Sequence, residues 1–342
     1  GTGICLIYAV RKHVFRPILY YRRSSCLPRL PLGGLQLDTK QIEYILKIAE
    51  ENNITKAAEK LFITQSALNQ QLLKLEKELG TPLFHRSRAN WRLTEAGEIY
   101  IEGAKAALQI KNTTYNKIYD VVSARKGHLT IGLTPGRGLR MFTAIYPELH
   151  RNYPNLDVRP IEMRVRAQQD AIARGEIDVG LMTLRPIDRT IDTYYPLKKE
   201  ELVLMIPAAH PLAEKAAAPG EPLATMDLNE LRYEPFVLMD KTSTLRSSCD
   251  LLFEKAGFVP NILFETNNTG GIAAMVQSTL CCGIIPRYYT LGLTEGVACF
   301  SLPDRPSWEI AISCQKHGYL NSGAKEFIRL AREYWENSAP LY

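Results

Sequence analysis

No stretch of this 342-residue chain approaches the roughly 18 consecutive apolar residues that a membrane-spanning helix requires, so no membrane partner is expected. Metal-binding cysteine pairs are missing too. The seven cysteines (Cys5, Cys26, Cys249, Cys281, Cys282, Cys299, Cys314) are odd in number and none stands in a CxxC spacing. That weighs against zinc and against a secreted disulfide framework, and fits a reducing cytoplasm. The six histidines (His13, His85, His128, His150, His210, His317) are scattered, and no HExxH, GxSxG, Walker or GxGxxG pattern occurs. Nothing here argues for catalysis, and no metal or cofactor is expected. Acid is absent from residues 1–36, which carry Arg11, Lys12, Arg16, Arg22, Arg23 and Arg29. Taking these six from the 42 lysines and arginines leaves 36, matching the 36 Asp and Glu, so the net charge of +6 belongs to the leader. Global charge is therefore no argument for nucleic acid. In the leader an apolar segment precedes the basic one, the wrong order for a secretory signal. Its composition suits an organellar presequence or a basic arm on DNA, but it is read here as a poorly ordered extension.

What is present is concentrated in Ile54–Gly80, ITKAAEKLFITQSALNQQLLKLEKELG. It reads as two helices joined by a tight turn. Ala57, Ala58 and Leu61 give the first an apolar side, and the two alanines are small enough for the close approach of a helix-turn-helix. The second is predicted from Gln65 to Leu79, with Ala67, Leu68, Leu72, Leu75 and Leu79 on one face. Thr64 is placed to cap it and Gly80 to end it. Asp38 caps a preceding helix, Thr39–Glu50, whose Ile42, Ile45, Leu46 and Ala49 face one way and complete a three-helix core.

The other face of the second helix is polar: Gln65, Ser66, Asn69, Gln70 and Lys74, with Thr64 at its start. Glutamine and asparagine bond bidentately to adenine edges, and the B-DNA major groove admits such a helix. A polar helix face is ordinarily just solvated. Here a capped helix precedes it and a basic, turn-prone segment follows, which favours DNA. That segment, TPLFHRSRANWR from Thr81 to Arg92, reads as a hairpin wing. Arg86, Arg88 and Arg92 are spaced to meet phosphates or a minor groove.

Thr94 and Glu95 open a long helix to about Arg125. Ile101, Leu108, Tyr115 and Val122 recur every seven residues, flanked by Ala104 and Ile118 and interrupted by Lys111, a coiled-coil stripe. Between two domains, such a stripe is expected to pair with a second copy. A dimer that reads DNA must set its helices about 34–36 Å apart.

Residues Leu37 to about Lys126 resemble the DNA-binding half of a LysR-type transcriptional regulator. The resemblance rests on Ala57-Ala58, Thr64-Gln65, Ala67-Leu68, Leu75-Glu76, Leu79-Gly80, Leu83-Phe84, Arg86 and the run Leu93-Thr94-Glu95-Ala96-Gly97. Ser66, Asn69 and Leu73 depart from residues frequent in the family, which bears on the DNA sequence read. The resemblance implies dimers formed through the linker helix, often assembled into tetramers, and a regulatory domain similar to a periplasmic-type binding protein.

Past Gly127, strands and helices alternate. Strands are predicted at His128–Thr134, Asp157–Met163 and Ile177–Thr183, with helices at Met141–Asn152 and Ala167–Arg174 between them. A second set follows: strands Leu202–Ile206, Phe236–Met239, Ile262–Glu265 and Gly283–Pro286, and helices Leu245–Ala256 and Ile272–Thr279. Strands near Cys299–Leu302 and Trp308–Cys314 and a helix Gly323–Trp335 close the chain. This order implies parallel sheet in two lobes, with crossings near Tyr195–Leu202 and Thr290–Cys299. In such folds ligands bind beyond the carboxyl ends of strands, near helix N-termini. Thr134, Gly136 and Arg137 follow the first strand and suit a carboxylate or other small anion. Thr183, Ser243, Thr244 and Thr269 occupy equivalent strand ends, although each alone is more often a cap.

The expected fold is α+β and multidomain: a leader (1–36), a winged helix-turn-helix (37–93), a linker helix (94–126) and a two-lobed α/β periplasmic-binding-protein-like domain (127–342). Its lobe I takes 127–195 and 300–342, and its lobe II takes 196–299. The expected function is a cytoplasmic regulator that binds double-stranded promoter DNA as a homodimer or homotetramer. It would answer a small-molecule, anionic effector and meet the transcription machinery. The alternatives are a thiol-based redox sensor on the same DNA-binding frame, through Cys249 or Cys281-Cys282, and a two-lobed enzyme.

Overall fold

The computed structural model describes residues 38–86, 91–122, 125–218, 220–293 and 295–339. The leader and Arg88 of the wing lie outside the described residues. Two compact units divide between Pro82 and Leu83.

The first unit holds α1 (Thr39–Glu51), α2 (Ile54–Lys60) and α3 (Gln65–Leu79). Each opens on a side-chain cap. Asp38 accepts from the Lys40 N–H, Asn53 from Thr55 and Lys56, and Thr64 from Ala67. Such caps satisfy donors that have no partner within the helix. Gly80 ends α3 at φ +73°, where a side chain is disfavoured. Ile42, Ile45, Ile48, Ala57, Ala58, Leu68, Leu72 and Leu75 are buried. Two expectations shift. Ile48 is buried while Leu46 and Ala49 are half-buried, and Ala67 is exposed, one residue off the buried 68–72–75 row.

The second unit begins with β1 (Phe84–His85) and β2 (Arg92–Leu93), an antiparallel pair with His85 opposite Arg92. Next comes α4 (Glu95–Val121), 27 residues and so about 40 Å long at 1.5 Å per residue. It stops four residues short of the expected Arg125. Ile101 and Ala104 of the expected seam are buried, whereas Tyr115, Ile118 and Val122 are exposed, as are Ile99 and Ile110. The first turns of α4 lie tight on the wing: a Cβ added at Gly97 would sit 2.1 Å from the Leu83 carbonyl oxygen. The far end is tied down by polar contacts. Asn116 exchanges two 3.0 Å hydrogen bonds with the His128 backbone, and Asp120 accepts from Ser322 and Tyr319.

Then follow β3 (Lys126–Leu133), α5 (Arg137–Asn152), β4 (Asn155–Glu162), α6 (Val165–Ala173), β5 (Val179–Leu184), β6 (Thr193–Pro207) and β7 (Pro235–Met239). The chain completes with α7 (Thr244–Ala256), β8 (Asn261–Thr266), α8 (Thr269–Gln277), β9 (Gly283–Pro286), β10 (Val297–Ser301), β11 (Ser307–Cys314) and α9 (Ser322–Glu336). Strands β4, β3 and β5 run parallel, as do β7 and β8. The sheet is not parallel throughout: β11 is antiparallel to both β5 and β6, and β6 is antiparallel to β9 and β10.

The crossings explain this mixture. Strand β6 has 15 residues; Thr193–Glu201 pairs with β11, and Leu202–Pro207 pairs with β9 and β10. The crossing expected near Tyr195–Leu202 is thus the middle of one strand. The return falls at residues 302–306 rather than Thr290–Cys299, because β10 ends opposite Val203 and β11 starts opposite Glu201. In lobe I, residues of α5 and α9 such as Met141 and Phe327 share one core cluster, and Ile172 of α6 belongs to another with Met182 and Leu184. Every residue of β5 is buried, as a strand covered on both faces requires. Lobe II packs around Phe236, Phe253 and Phe300.

Candidate functional site

On α3, burial of Leu68, Leu72 and Leu75 turns the polar stripe outward. Thr64, Gln65, Ser66, Gln70 and Lys74 are exposed and Asn69 is half-buried. Three of these side chains are already held. The Thr64 hydroxyl accepts from Ala67 N and lies 3.2 Å from the Ser66 hydroxyl, while the Gln65 side-chain oxygen accepts from the Thr55 hydroxyl at 3.2 Å. A tethered glutamine loses less rotamer freedom when it meets a base edge.

In the wing, Arg86 and Arg92 are exposed, and the Arg86 guanidinium stacks 5.5 Å from the centre of the Trp91 ring. Trp91 in turn meets Phe84. Trp91 was visible in the sequence between the arginines, and its role as a platform was missed.

In the α/β domain, a cavity of about 640 Å³ gathers all seven strand-end residues: Thr134, Gly136, Arg137, Thr183, Ser243, Thr244 and Thr269. The turn after β3 into α5, the end of β5, the loop after β7 into α7 and the start of α8 bring them together. Three arginines line it (Arg137, Arg140, Arg164) and, among the described residues, no carboxylate does; Tyr288, Tyr289 and Trp308 supply aromatic surface. The wall thus combines guanidinium groups with apolar surface, the usual make-up of a small-molecule site.

The arginines are not equivalent. Arg137 is buried and donates to Glu200 Oε2 at 2.5 Å, and Glu200 also accepts from Trp308 Nε1 at 2.6 Å and the Tyr288 N–H at 2.9 Å. Its guanidinium lies 5.4–5.8 Å from the rings of Tyr288, Tyr289 and Trp308. The free anion-binding arginine expected from the Pro-Gly turn is therefore corrected: its charge is already matched by a fully buried carboxylate. Arg140, one turn further along α5, is exposed and has no ion pair among the described residues. Arg164 pairs with Asp240.

The hydroxyls differ as well. Thr134 Oγ1 is buried with no partner, while Thr244 Oγ1 donates to the Thr183 carbonyl at 3.1 Å. Ser243 caps α7 through Leu245 N. Sequence reasoning missed Arg140, Arg164 and the aromatic trio. Arg164 was findable, because it follows β4 as Thr134 follows β3.

The described cysteines are poor thiolates. Burial pushes the thiols of Cys249 and Cys282 up to about 12 and that of Cys299 to about 11, and a thiolate is the reactive form. Cys5 and Cys26 lie outside the described residues. Among those residues no three His, Cys, Asp or Glu side chains gather to hold a metal ion, and no helix is long and apolar enough to cross a membrane.

Comparison with known proteins agrees with this architecture. Residues 123–336 match the LysR substrate binding domain, and residues 39–98 match the bacterial regulatory helix-turn-helix protein, lysR family. A relative in Bacillus subtilis (strain 168), the HTH-type transcriptional regulator YwbI, is 29% identical over 303 residues, 88% of this chain and 98% of its own length. Among solved structures, a full-length OxyR variant from Pseudomonas aeruginosa shares the fold at a TM-score of 0.63 with 21% identity, covering 89% of this chain and 99% of its own. Full-length CbnR in complex with its target DNA does so at 0.60 with 20% identity, covering 87% and 100%. With the winged helix-turn-helix, the linker helix and the two-lobed domain in sequence, the chain belongs to the LysR family of DNA-binding transcriptional regulators.

Proposed function

We propose that this regulator reads promoter DNA through the exposed stripe of α3 and switches when a small organic anion occupies the cavity of the α/β domain. Asn69, Gln70 and Gln65 address base edges, Thr64, Ser66 and Lys74 assist them, and Arg86, Arg88 and Arg92 of the wing contact the phosphate backbone. The functional division is 37–93 for DNA, 94–126 for pairing and 127–342 for the effector, with the two lobes of the effector domain dividing at Glu201–Leu202 and at the return through 302–306. Two or four copies assemble through α4, whose exposed Ile110, Ile118 and Val121 offer apolar surface for a partner helix. The protein works in the cytoplasm, with the transcription machinery as a further partner, and acts as a regulator rather than a catalyst.

The observation that carries the reading is the outward stripe of amide side chains on α3, backed by a buried leucine row. The relative YwbI is described as a transcriptional regulator, and CbnR was solved on its target DNA. For the cavity, the support is Arg140, exposed in the wall and without an ion pair among the described residues, beside Arg137 paired to Glu200 and Arg164 paired to Asp240, together with Thr134, Gly136, Thr183, Ser243, Thr244 and Thr269 in one wall. Control requires the anion to bind one arrangement of the oligomer more tightly than another. The raised thiols of Cys249, Cys282 and Cys299 speak against the redox alternative.

Footprinting tests the DNA assignment. Replacing Gln65, Asn69 and Gln70 together with alanine is expected to abolish site-specific protection while circular dichroism stays unchanged, each good base contact being worth about 1–3 kcal/mol. A retained footprint refutes it.

A further inference from the structure

The rim of the cavity holds a contact that joins its two lobes. Arg164, the cap residue of α6 in lobe I, reaches across to Asp240 and Thr242, which lie between β7 and α7 of lobe II. One guanidinium nitrogen makes both contacts, to Asp240 Oδ1 at 2.5 Å and to the Thr242 hydroxyl. The same Oδ1 accepts from Thr242 N at 3.0 Å and from the Thr242 hydroxyl at 2.6 Å, whereas Oδ2 is buried without a partner. Arg164 and Thr242 line the cavity. The two charged side chains remain 39% and 27% exposed, so neither is locked in the interior. The nearby guanidinium holds the Asp240 carboxyl well below the usual carboxylate range, so the pair is charged at neutral pH.

We propose that Asp240 is a built-in stand-in for the anionic group of the effector: it occupies Arg164 until an incoming carboxylate or phosphate takes that guanidinium. The proposal rests on reading the cavity as an anion site and adds how the anion gains its second cation. The geometry decides the competition. Asp240 presents one oxygen to one nitrogen of a guanidinium, and half-exposed ion pairs of this kind are weak. A ligand carboxylate or phosphate approaching from the cavity offers two oxygens to the fork, the stronger bidentate arrangement. The exchange also removes a direct side-chain link between lobes, leaving Thr244 to Thr183 as a remaining one. Binding is thereby coupled to lobe spacing without a separate switch.

The test uses the full chain and two probes, inorganic phosphate and succinate, titrated by calorimetry; the probe that binds distinguishes the two anion classes. Asp240→Asn keeps an oxygen for Thr242 N but no charge for Arg164, and is expected to tighten binding of at least one probe about fivefold or more. Asp240→Ser serves if the amide variant is unfolded by circular dichroism. The gain is expected to vanish when Arg164→Gln is added. Unchanged affinity on removing the Asp240 charge, or a gain that survives loss of Arg164, overturns the proposal. Arg140→Gln separates its failure from that of the cavity reading. If Arg140→Gln weakens binding while the Asp240 variants do not tighten it, the anion cavity stands and the stand-in falls. If no variant changes affinity, or none binds either probe, both fall.

Discussion

Glu200→Ala offers the sharpest test of the cavity floor. Glu200 is fully buried and accepts three hydrogen bonds, from Arg137, Trp308 and the Tyr288 backbone, at 2.5, 2.6 and 2.9 Å. Deleting it leaves Arg137, itself 5% exposed, as a buried charge without its partner. Breaking a buried pair from one side costs about 3–5 kcal/mol. The orphaned indole and backbone N–H groups act in the same direction but do not add independently. At roughly 2–4 °C per kcal/mol for a domain of about 150–250 residues, the melting temperature is expected to fall by about 6–20 °C. Differential scanning calorimetry reads this directly. Exchanging both partners, Arg137→Met with Glu200→Leu, is expected to recover most of the loss, because it is the unpaired charge that destabilises. A single variant melting within about 2 °C of the parent refutes the account of Arg137 as structurally committed.

Two further outcomes are expected. Replacing Arg86 or Arg92 with alanine should weaken binding to all DNA sequences and reduce the slope of log affinity against log salt by about 0.9 for each phosphate no longer neutralised, measured by fluorescence anisotropy; an unchanged slope rules out the phosphate role. Asp178 carries a carboxyl that burial raises above its ordinary 3.8, so its ionised form is disfavoured by folding at neutral pH and the penalty is relieved as pH falls. Asp178→Asn retains an oxygen for the Thr130 N–H and should therefore be more stable than the parent at pH 7, with the gap closing below pH 3.8 in urea titrations.

The local elements were legible because their signals are local. Caps and the leucine row fix α3 from Thr64 to Gly80 within a few residues, and short apolar runs bounded by turns located the strands. The lobe crossings were not legible, because the Tyr194–Lys199 half of β6 alternates weakly and becomes a strand only through its pairing with β11. The cavity wall was half legible. Strand-end position found Thr134 and Thr244, but the fate of Arg137 depended on Glu200, 63 residues away, whose burial no local pattern announces. The linker stripe was legible as an apolar spacing that includes Ile101 and Ala104, but what covers those two buried residues is a tertiary matter.

The unbroken course of β6 carries a mechanical consequence. The strand runs from one lobe into the other without ending, although it shifts register against β11 at Ile310/Ala311 and exchanges β11 for β9 and β10 at Glu201–Leu202. Releasing the Arg164–Asp240 contact therefore still leaves the lobes joined by backbone. Any opening has to be absorbed as bend and twist spread along a shared plank and the short return at 302–306 beside it. Such a joint is springy rather than slack: its rest angle is fixed by the same bonds that hold the sheet together, and a ligand has to work against them.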